Sequence, residues 1–332
     1  TTYAPLALAQ PQRMLDDLRH LSTMTDSDFA GFTRLALTAL DVAGRQWILE
    51  QFRCAGLRSW IDNAGNVIGV LEGTHPAAGT IMTGSHTDTV EGGGRFDGNV
   101  GVVAALEVVR SLRESHTSLT HDLMVVDFFS EEPNRFGLSC LGSRALTGHL
   151  TSADLAPVDG DGLTLGSELH RADVDANAML TSAIDTNSVK AFLELHIEQG
   201  PYLEEHGSQV GMVTSIAGVS RFRGVFAGQR DHAGTTPMAV RRDAMAVAVA
   251  IAQDLYALAP RTAQAPDIPE LRLTLGQWTV VPNSVNTIPG KVTFSVDMRC
   301  LDDAALDRAE TALRAACMRH APGPEAVAVT RF

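Results

Sequence analysis

Residues 84–101 read GSHTDTVEGGGRFDGNVG. They join an apolar run, GTIMTGSH, to a run with apolar residues at helical spacing, NVGVVAALEVVRSL. A histidine, an aspartate two residues on, a glycine-rich bend and a second aspartate form either a glycine-hungry turn or a ligand site at a strand end. The apolar runs around it set the frame. GTIMTGSH, DLMVVDFFSEE and AFLELHIEQG are short and densely apolar, as strands buried on both faces of a sheet are. They alternate with helical patterns, which predicts an α/β domain with a mostly parallel sheet. Ligands of such sheets gather at the carboxyl ends of the strands. Each run ends there in polar groups: His86, then Glu131 with Glu132, then His196.

Working outward, residues from about 11 to 55 read as helices, followed by LRSWI, DNAGN and VIGVLEG as strand, turn and strand. From about residue 211 the texture changes to alternation. A helix is predicted over 237–258, with Thr235 and Thr236 as candidate caps and Pro237 in its first turn. Two more strands, an amphipathic helix and a last strand follow, which makes an α+β unit. The expected division is 1–212 and 213–332.

The length of 332 residues suits two domains, and 45% hydrophobic content suits a globular core. A net charge of −13 argues against nucleic acid or an anionic membrane as partner, because phosphates need a basic face. The longest uninterrupted apolar run, residues 244–252, falls far short of a membrane span. No basic stretch followed by an apolar one marks a signal peptide. The four cysteines form no CxxC pair, so a reducing cytoplasm is expected.

The polar strand ends carry the chemistry. Asp88 can accept the spare N–H of His86 and turn its other nitrogen toward a metal. Asp97 lies just before a helix and alone would read as an N-cap or a turn aspartate. Paired acids at the mouth of an apolar strand are costly unless something neutralises them, which singles out Glu131 and Glu132. His196 alone would read as a satisfied core histidine. Together, imidazoles and carboxylates on one sheet edge form a ligand set for zinc, or for manganese where oxygen dominates. A spare glutamate beside them suits a general base.

Six stretches in order carry a resemblance: GSHTDTV, GGGRFDGNVG, FFSEEPNRFGLSCLGSRALTG, LHIEQGPYLEE, DHAGTTPMAVRRDA and PNSVNTIPGKVTFSVDMR. The chain resembles the carbamoylase branch of the dinuclear-metal aminoacylase/carboxypeptidase superfamily. That branch holds N-carbamoyl-L-amino-acid hydrolase, β-alanine synthase, allantoate amidohydrolase and ureidoglycolate amidohydrolase. The resemblance implies a metallopeptidase-like catalytic domain with an inserted lid and dimerisation domain, and two divalent ions per subunit, Zn2+ or Mn2+. It assigns His86, Asp97 and His196 to one metal, with Asp97 bridging to a second held by Glu132. Glu131 becomes general base and then acid, Asp88 orients His86, and Gln199 helps seat the substrate. His232 polarises the scissile carbonyl, often in the partner's site, and Asn286 and Arg299 grip the substrate carboxylate. The implied partners are a small ureido or carbamoyl acid and a second copy bound through the lid.

The implied reaction releases ammonia and carbon dioxide from N-carbamoyl-L-amino acids, ureidoglycolate or allantoate. Alternatives are an aminoacylase or dipeptidase using the same metals, and a non-catalytic or truncated inactive relative. The family's last ligand, a histidine in a GHD-type motif of a returning C-terminal segment, has no counterpart among the eleven histidines. An incomplete catalytic domain is therefore expected.

Overall fold

The computed structural model describes residues 9–259, 271–321 and 327–331. They fall into two compact units, Thr1–Gln209 and Val210–Phe332.

The first unit opens with α1 (Pro11–Thr23), whose proline sits in the first turn, where a missing N–H leaves no bond unmade. Arg13 anchors it, donating to the buried carboxylate of Glu107 from Nε at 2.7 Å and Nη2 at 2.8 Å. In α2 (Ala39–Cys54) the Thr38 hydroxyl caps the N-terminus by accepting from the Asp41 amide. β1 (Arg58–Ile61) and β2 (Val67–Leu71) are joined by a turn in which the Asp62 carboxylate accepts from the amides of Ala64 and Asn66. β3 (Thr80–His86), α3 (Asn99–Glu114) and β4 (Asp122–Phe128) follow. Three short helices come next, α4 (Leu141–Leu146), α5 (Leu165–Arg171) and α6 (Ala176–Met179). β5 (Val189–Leu193) and α7 (Tyr202–Glu205) end the unit.

The sheet order is β1-β2-β4-β3-β5. β4, β3 and β5 run parallel, whereas β1, β2 and β4 pair antiparallel, so the sheet is mixed and its parallel half carries the polar strand ends. The core of α3 is decided by spacing: Val102, Val103, Leu106 and Val109 lie on one stripe and are fully buried with Ile48 and Phe52 of α2 and Val125 of β4. Truncating Leu106 or Ile48 to alanine would cost about 2–5 kcal/mol. β5 stops at Leu193, three residues short of His196, and lies at the sheet edge with Phe192 and Leu193 exposed.

The second unit contains β6 (Gly218–Ala227), α8 (Ala244–Leu258), β7 (Arg272–Thr274), β8 (Trp278–Val281), β9 (Lys291–Cys300), α9 (Asp303–His320) and β10 (Val327–Arg331). Its sheet runs β10-β6-β9-β7, with β8 also on β9, and every pairing is antiparallel. Phe222, Phe226, Phe294, Val296 and Met298 alternate inward and pack with Ile251 and Leu255 of α8 and Leu313 of α9. The predicted helix over 237–258 is shorter: Met238–Val240 form a separate 3-10 turn, and α8 begins after Asp243, whose carboxylate accepts from the amides of Met245 and Ala246. An aspartate cap sets the helix start more strongly than a proline that tolerates one.

Candidate metal centre

His86 closes β3, and its register partner on parallel β4 is Phe128. The chain therefore leaves both strands at the same sheet edge, which brings His86 beside Glu131 and Glu132. Ser130 turns the corner after β4 at φ 48. Cys140 holds that corner from the far side, with its N–H donating to the Glu131 carbonyl at 2.9 Å and its Sγ 3.8 Å from Glu131 Oε1.

The Nδ1 of His86 lies 2.9 Å from the backbone carbonyl oxygen of Asp88 and 3.6 Å from its carboxylate. This differs from the expected carboxylate–imidazole bond. The Asp88 carboxylate instead accepts from the amides of Glu131 at 3.2 Å and Glu132 at 3.0 Å, two donors that the loop supplies. A carbonyl can only accept, so Nδ1 carries a hydrogen and Nε2 is the ring atom left to face a ligand, 3.5 Å from Glu131 Oε2. His196 repeats the arrangement: Nδ1 is 2.8 Å from the Ile197 carbonyl, and Nε2 is 3.2 Å from Asp97 Oδ1.

Asp97 is held by Gln199, whose Nε2 donates to Oδ2 at 2.6 Å. The other oxygen, Oδ1, is buried and accepts no hydrogen bond among the described residues. Its loop runs beneath the His86 ring because residue 98 is glycine: at φ +62, a Cβ there would lie 2.4 Å from His86 Nε2. Two imidazole Nε2 atoms and an orphaned carboxylate oxygen thus face one another. The ligand atoms of His86, Asp97 and His196 lie within 4.8 Å of one another, and so do those of His86, Glu131 and Glu132. Asp97 falls in the first group and Glu132 in the second, and the charge of Asp97 is felt at Glu132.

Converging acceptors repel one another unless a cation lies between them, and this donor set of nitrogen and carboxylate oxygen fits a divalent metal. The electrostatics favour positive charge at this point, supplied by a proton on His86 that an ion would displace. Burial alone would hold the His86 imidazole below its ordinary value, but Asp88 and Glu131 outweigh it and push it up to about 10. Burial also raises Glu131, and raises Glu132 to about 7 with help from the neighbouring acids. The pocket holds more negative charge than it can solvate.

The nearby acids have other tasks. Glu194 accepts from Ser85 Oγ at 2.6 Å, and Glu198 accepts from the amides of Tyr202 and Leu203 ahead of α7. Gly98 and Cys140 act through contacts with segments distant in sequence and carry no sequence signal of their own.

In the second unit, His232 Nδ1 accepts from the amides of Gly234 at 3.1 Å and Thr235 at 3.2 Å. Its hydrogen therefore sits on Nε2, which makes the exposed ring a donor. His232 and Asn286 are brought together by the His232–Thr287 bridge and by the Ala233 amide on the Asn286 carbonyl at 3.0 Å. Arg299 is not brought to them. It pairs with Val219 at the start of β6, whereas Lys291 pairs with Ala227 at its end. At about 3.3 Å per residue, β9 carries Arg299 roughly 26 Å from Lys291. Arg299 donates from Nε to Asp297 at 2.8 Å, which holds its pKa above the ordinary value.

No helix among the described residues is long and apolar enough to cross a membrane. Residues 66–162 match Peptidase family M28, and residues 214–325 match the Peptidase dimerisation domain. The chain is 38% identical to the N-carbamoyl-L-amino acid amidohydrolase of Geobacillus stearothermophilus, over 91% of this chain and 72% of that protein. It is 37% identical to the allantoate amidohydrolase of Bacillus subtilis, over 88% of this chain and 69% of that one. The crystal structure of a hydantoinase/carbamoylase family amidase from Burkholderia ambifaria superposes with a TM-score of 0.78 at 36% identity, covering 99% of this chain and 79% of that one. The histidines and acids at the parallel strand ends thus sit in a fold and sequence shared with these proteins, and the chain belongs to the carbamoylase family of amidohydrolases.

Proposed function

We propose that this protein hydrolyses the ureido or N-carbamoyl C–N bond of a small carboxylic acid, of the N-carbamoyl-L-amino acid, allantoate or ureidoglycolate class. The observation that carries the reading is the convergence of His86 Nε2, His196 Nε2 and the orphaned Asp97 Oδ1 beside Glu131. The named relatives act on bonds of this class.

His86, Asp97 and His196 would hold one divalent ion and Glu132 a second, zinc or manganese. Such ions acidify a water and polarise a carbonyl. Glu131 takes the proton of the attacking water and delivers it to the leaving nitrogen, a task suited to a carboxylate whose pKa is raised by burial. With a carbamoyl substrate, one water gives the free amine, ammonia and carbon dioxide. His232 donates from Nε2 to the carbonyl oxygen as negative charge develops there. Asn286 and Arg299 bind the substrate carboxylate, Arg299 through its planar fork. Because they lie at opposite ends of one sheet, the two grips come from different copies of the chain, so the active species is a homodimer formed through residues 213–332. Gln199 seats the substrate by fixing Asp97. Residues 1–212 are the metal-binding catalytic domain. The four cysteines are all free thiols, which supports a cytoplasmic setting.

The test is metal content together with ammonia release on a panel of ureido and carbamoyl acids, comparing the parent with Glu131→Gln. Release from one substrate class, lost by about 10³-fold or more in Glu131→Gln with metal retained, is the expected result. Bound metal with no ammonia from any panel member would move the reading to acyl or peptide bonds.

A further inference from the structure

Two separate pieces of chain carry His86 and Asp97, and one buried cation ties them together. Arg34 is 4% exposed. Its Nε and Nη2 both donate to the Thr87 carbonyl, at 2.9 and 2.7 Å, so the guanidinium grips the peptide between His86 and Asp88. The second hydrogen of Nη2 goes to Asn99 Oδ1 at 2.7 Å. Nη1 donates to the carbonyls of Leu21 at 2.7 Å and Met24 at 3.0 Å. All five guanidinium hydrogens are thereby used, and all on uncharged oxygens.

Asn99 is 2% exposed and passes the restraint on. Its side-chain Nδ2 donates to the Asp97 carbonyl at 2.9 Å, and its backbone N–H donates to the same oxygen at 2.6 Å. The relay runs from Thr87 through Arg34 and Asn99 to Asp97. The backbone around Arg34 is fixed in turn, with its N–H on Thr89 Oγ1 at 2.8 Å and its carbonyl accepting from the Thr89 N–H at 3.0 Å.

Burying a cation without a carboxylate on its fork is costly, and an apolar residue would fill the volume more cheaply. What an apolar residue cannot do is hold two loop carbonyls at a fixed separation. Lysine cannot do it either, because it presents a point charge rather than a planar fork. We infer that Arg34, acting with Asn99, is a positioning residue of the metal centre, which presets His86 and Asp97 at ligand spacing before any ion arrives. This rests on the metal reading above. Arg34 touches neither ligand side chain, and its link to Leu21 and Met24 also gives it a purely structural task. Asn99 does not share that link, so it separates the two roles.

The experiment uses the full chain and its Asn99→Ala, Arg34→Lys, Arg34→Met and Arg34→Met/Asn99→Ala variants. Zinc and manganese dissociation constants are measured by competition with a chelating dye, and thermal unfolding is measured on the chelator-treated proteins. All titrations are made well below each unfolding midpoint. The expected result is an affinity loss of about 10- to 100-fold in Asn99→Ala and in Arg34→Lys, the range typical of groups that orient ligands. The double variant should lose no more than the stronger single, because both act through one relay. A parent that binds metal while Asn99→Ala and Arg34→Lys bind equally well overturns this inference alone, even if Arg34→Met fails to fold. A parent that binds neither ion removes the metal reading and this inference with it.

Discussion

Gln199 donates to Oδ2 of Asp97 at 2.6 Å, which leaves Oδ1 to face His196 Nε2 at 3.2 Å. One amide thus divides the carboxylate into a held oxygen and an offered one. Gln199 does this from a backbone φ of 58, a region glycine enters freely and other side chains seldom enter. Gln199→Gly removes the amide and relieves the backbone together. Metal affinity should fall about tenfold while the metal-free unfolding midpoint holds or rises. A fall in both would mean that Gln199 serves the fold rather than the ligand.

Gly98 is the glycine on which the site depends. Alanine there would meet three atoms of the His86 ring at 2.4 to 2.5 Å, and it would have to hold φ +62. Gly98→Ala should cost about 1–2 kcal/mol of stability from the backbone alone. Displacing the ring should also weaken metal binding by at least about 100-fold. Titration and thermal unfolding of the one variant check both. Metal affinity equal to the parent's would show that the ring can move without consequence.

Asp127 is fully buried behind the site, with Oδ2 accepting from Thr87 Oγ1 at 2.9 Å and Oδ1 unpartnered. Burial pushes its pKa up to about 7, against the opposing pull of the Thr87 bond and Arg45. The folded state therefore keeps a proton that the unfolded chain releases near pH 4. Stability from this group is full below pH 4 and falls as pH rises through 7, by on the order of a few kcal/mol. Asp41, raised by burial to about 6, contributes with the same sign. Urea unfolding of metal-free protein between pH 4.5 and 8 should show the decline, and Asp127→Asn should reduce its slope and leave the residue due to Asp41. An equal slope in the variant would assign the decline elsewhere.

How much of this could be read from the chain alone depended on range. His86, Glu131, Glu132 and His196 stand out because apolar runs end in polar groups, a local signal, whereas Asp97 alone reads as a turn and gains meaning only beside them. The α8 start did not, because Asp243 caps it and the nearer proline misleads. β5 did not, because the apolar run continues through Leu195 while its ladder ends at Leu193. The separation of Asn286 from Arg299 follows from strand register, which single-residue matching ignores. Arg34 and Asn99 are 65 residues apart, and their bond exists only after folding. Of the three glycines at 92–94, Gly92 takes φ +63, whereas a Cβ at Gly94 would meet nothing, so the glycine run overstated its own necessity.

Metal should stabilise this protein by relieving the crowding of like groups at its site. His86, His196 and Asp97 offer acceptors to one another, and Glu131 and Glu132 are held high by burial and neighbouring charge. An ion that binds the folded chain alone adds about 2.7 kcal/mol at one hundred times its dissociation constant. Thermal unfolding with zinc or manganese should therefore rise above that of chelator-treated protein and return when chelator is added. His196→Ala removes one nitrogen ligand at an exposed position and leaves α1 through α3 untouched, so its metal-free midpoint should match the parent's. Its metal-induced rise should shrink or vanish. A variant that keeps the full rise would place the stabilising ion away from His196 and dissolve the grouping of His86, Asp97 and His196 as one ligand set.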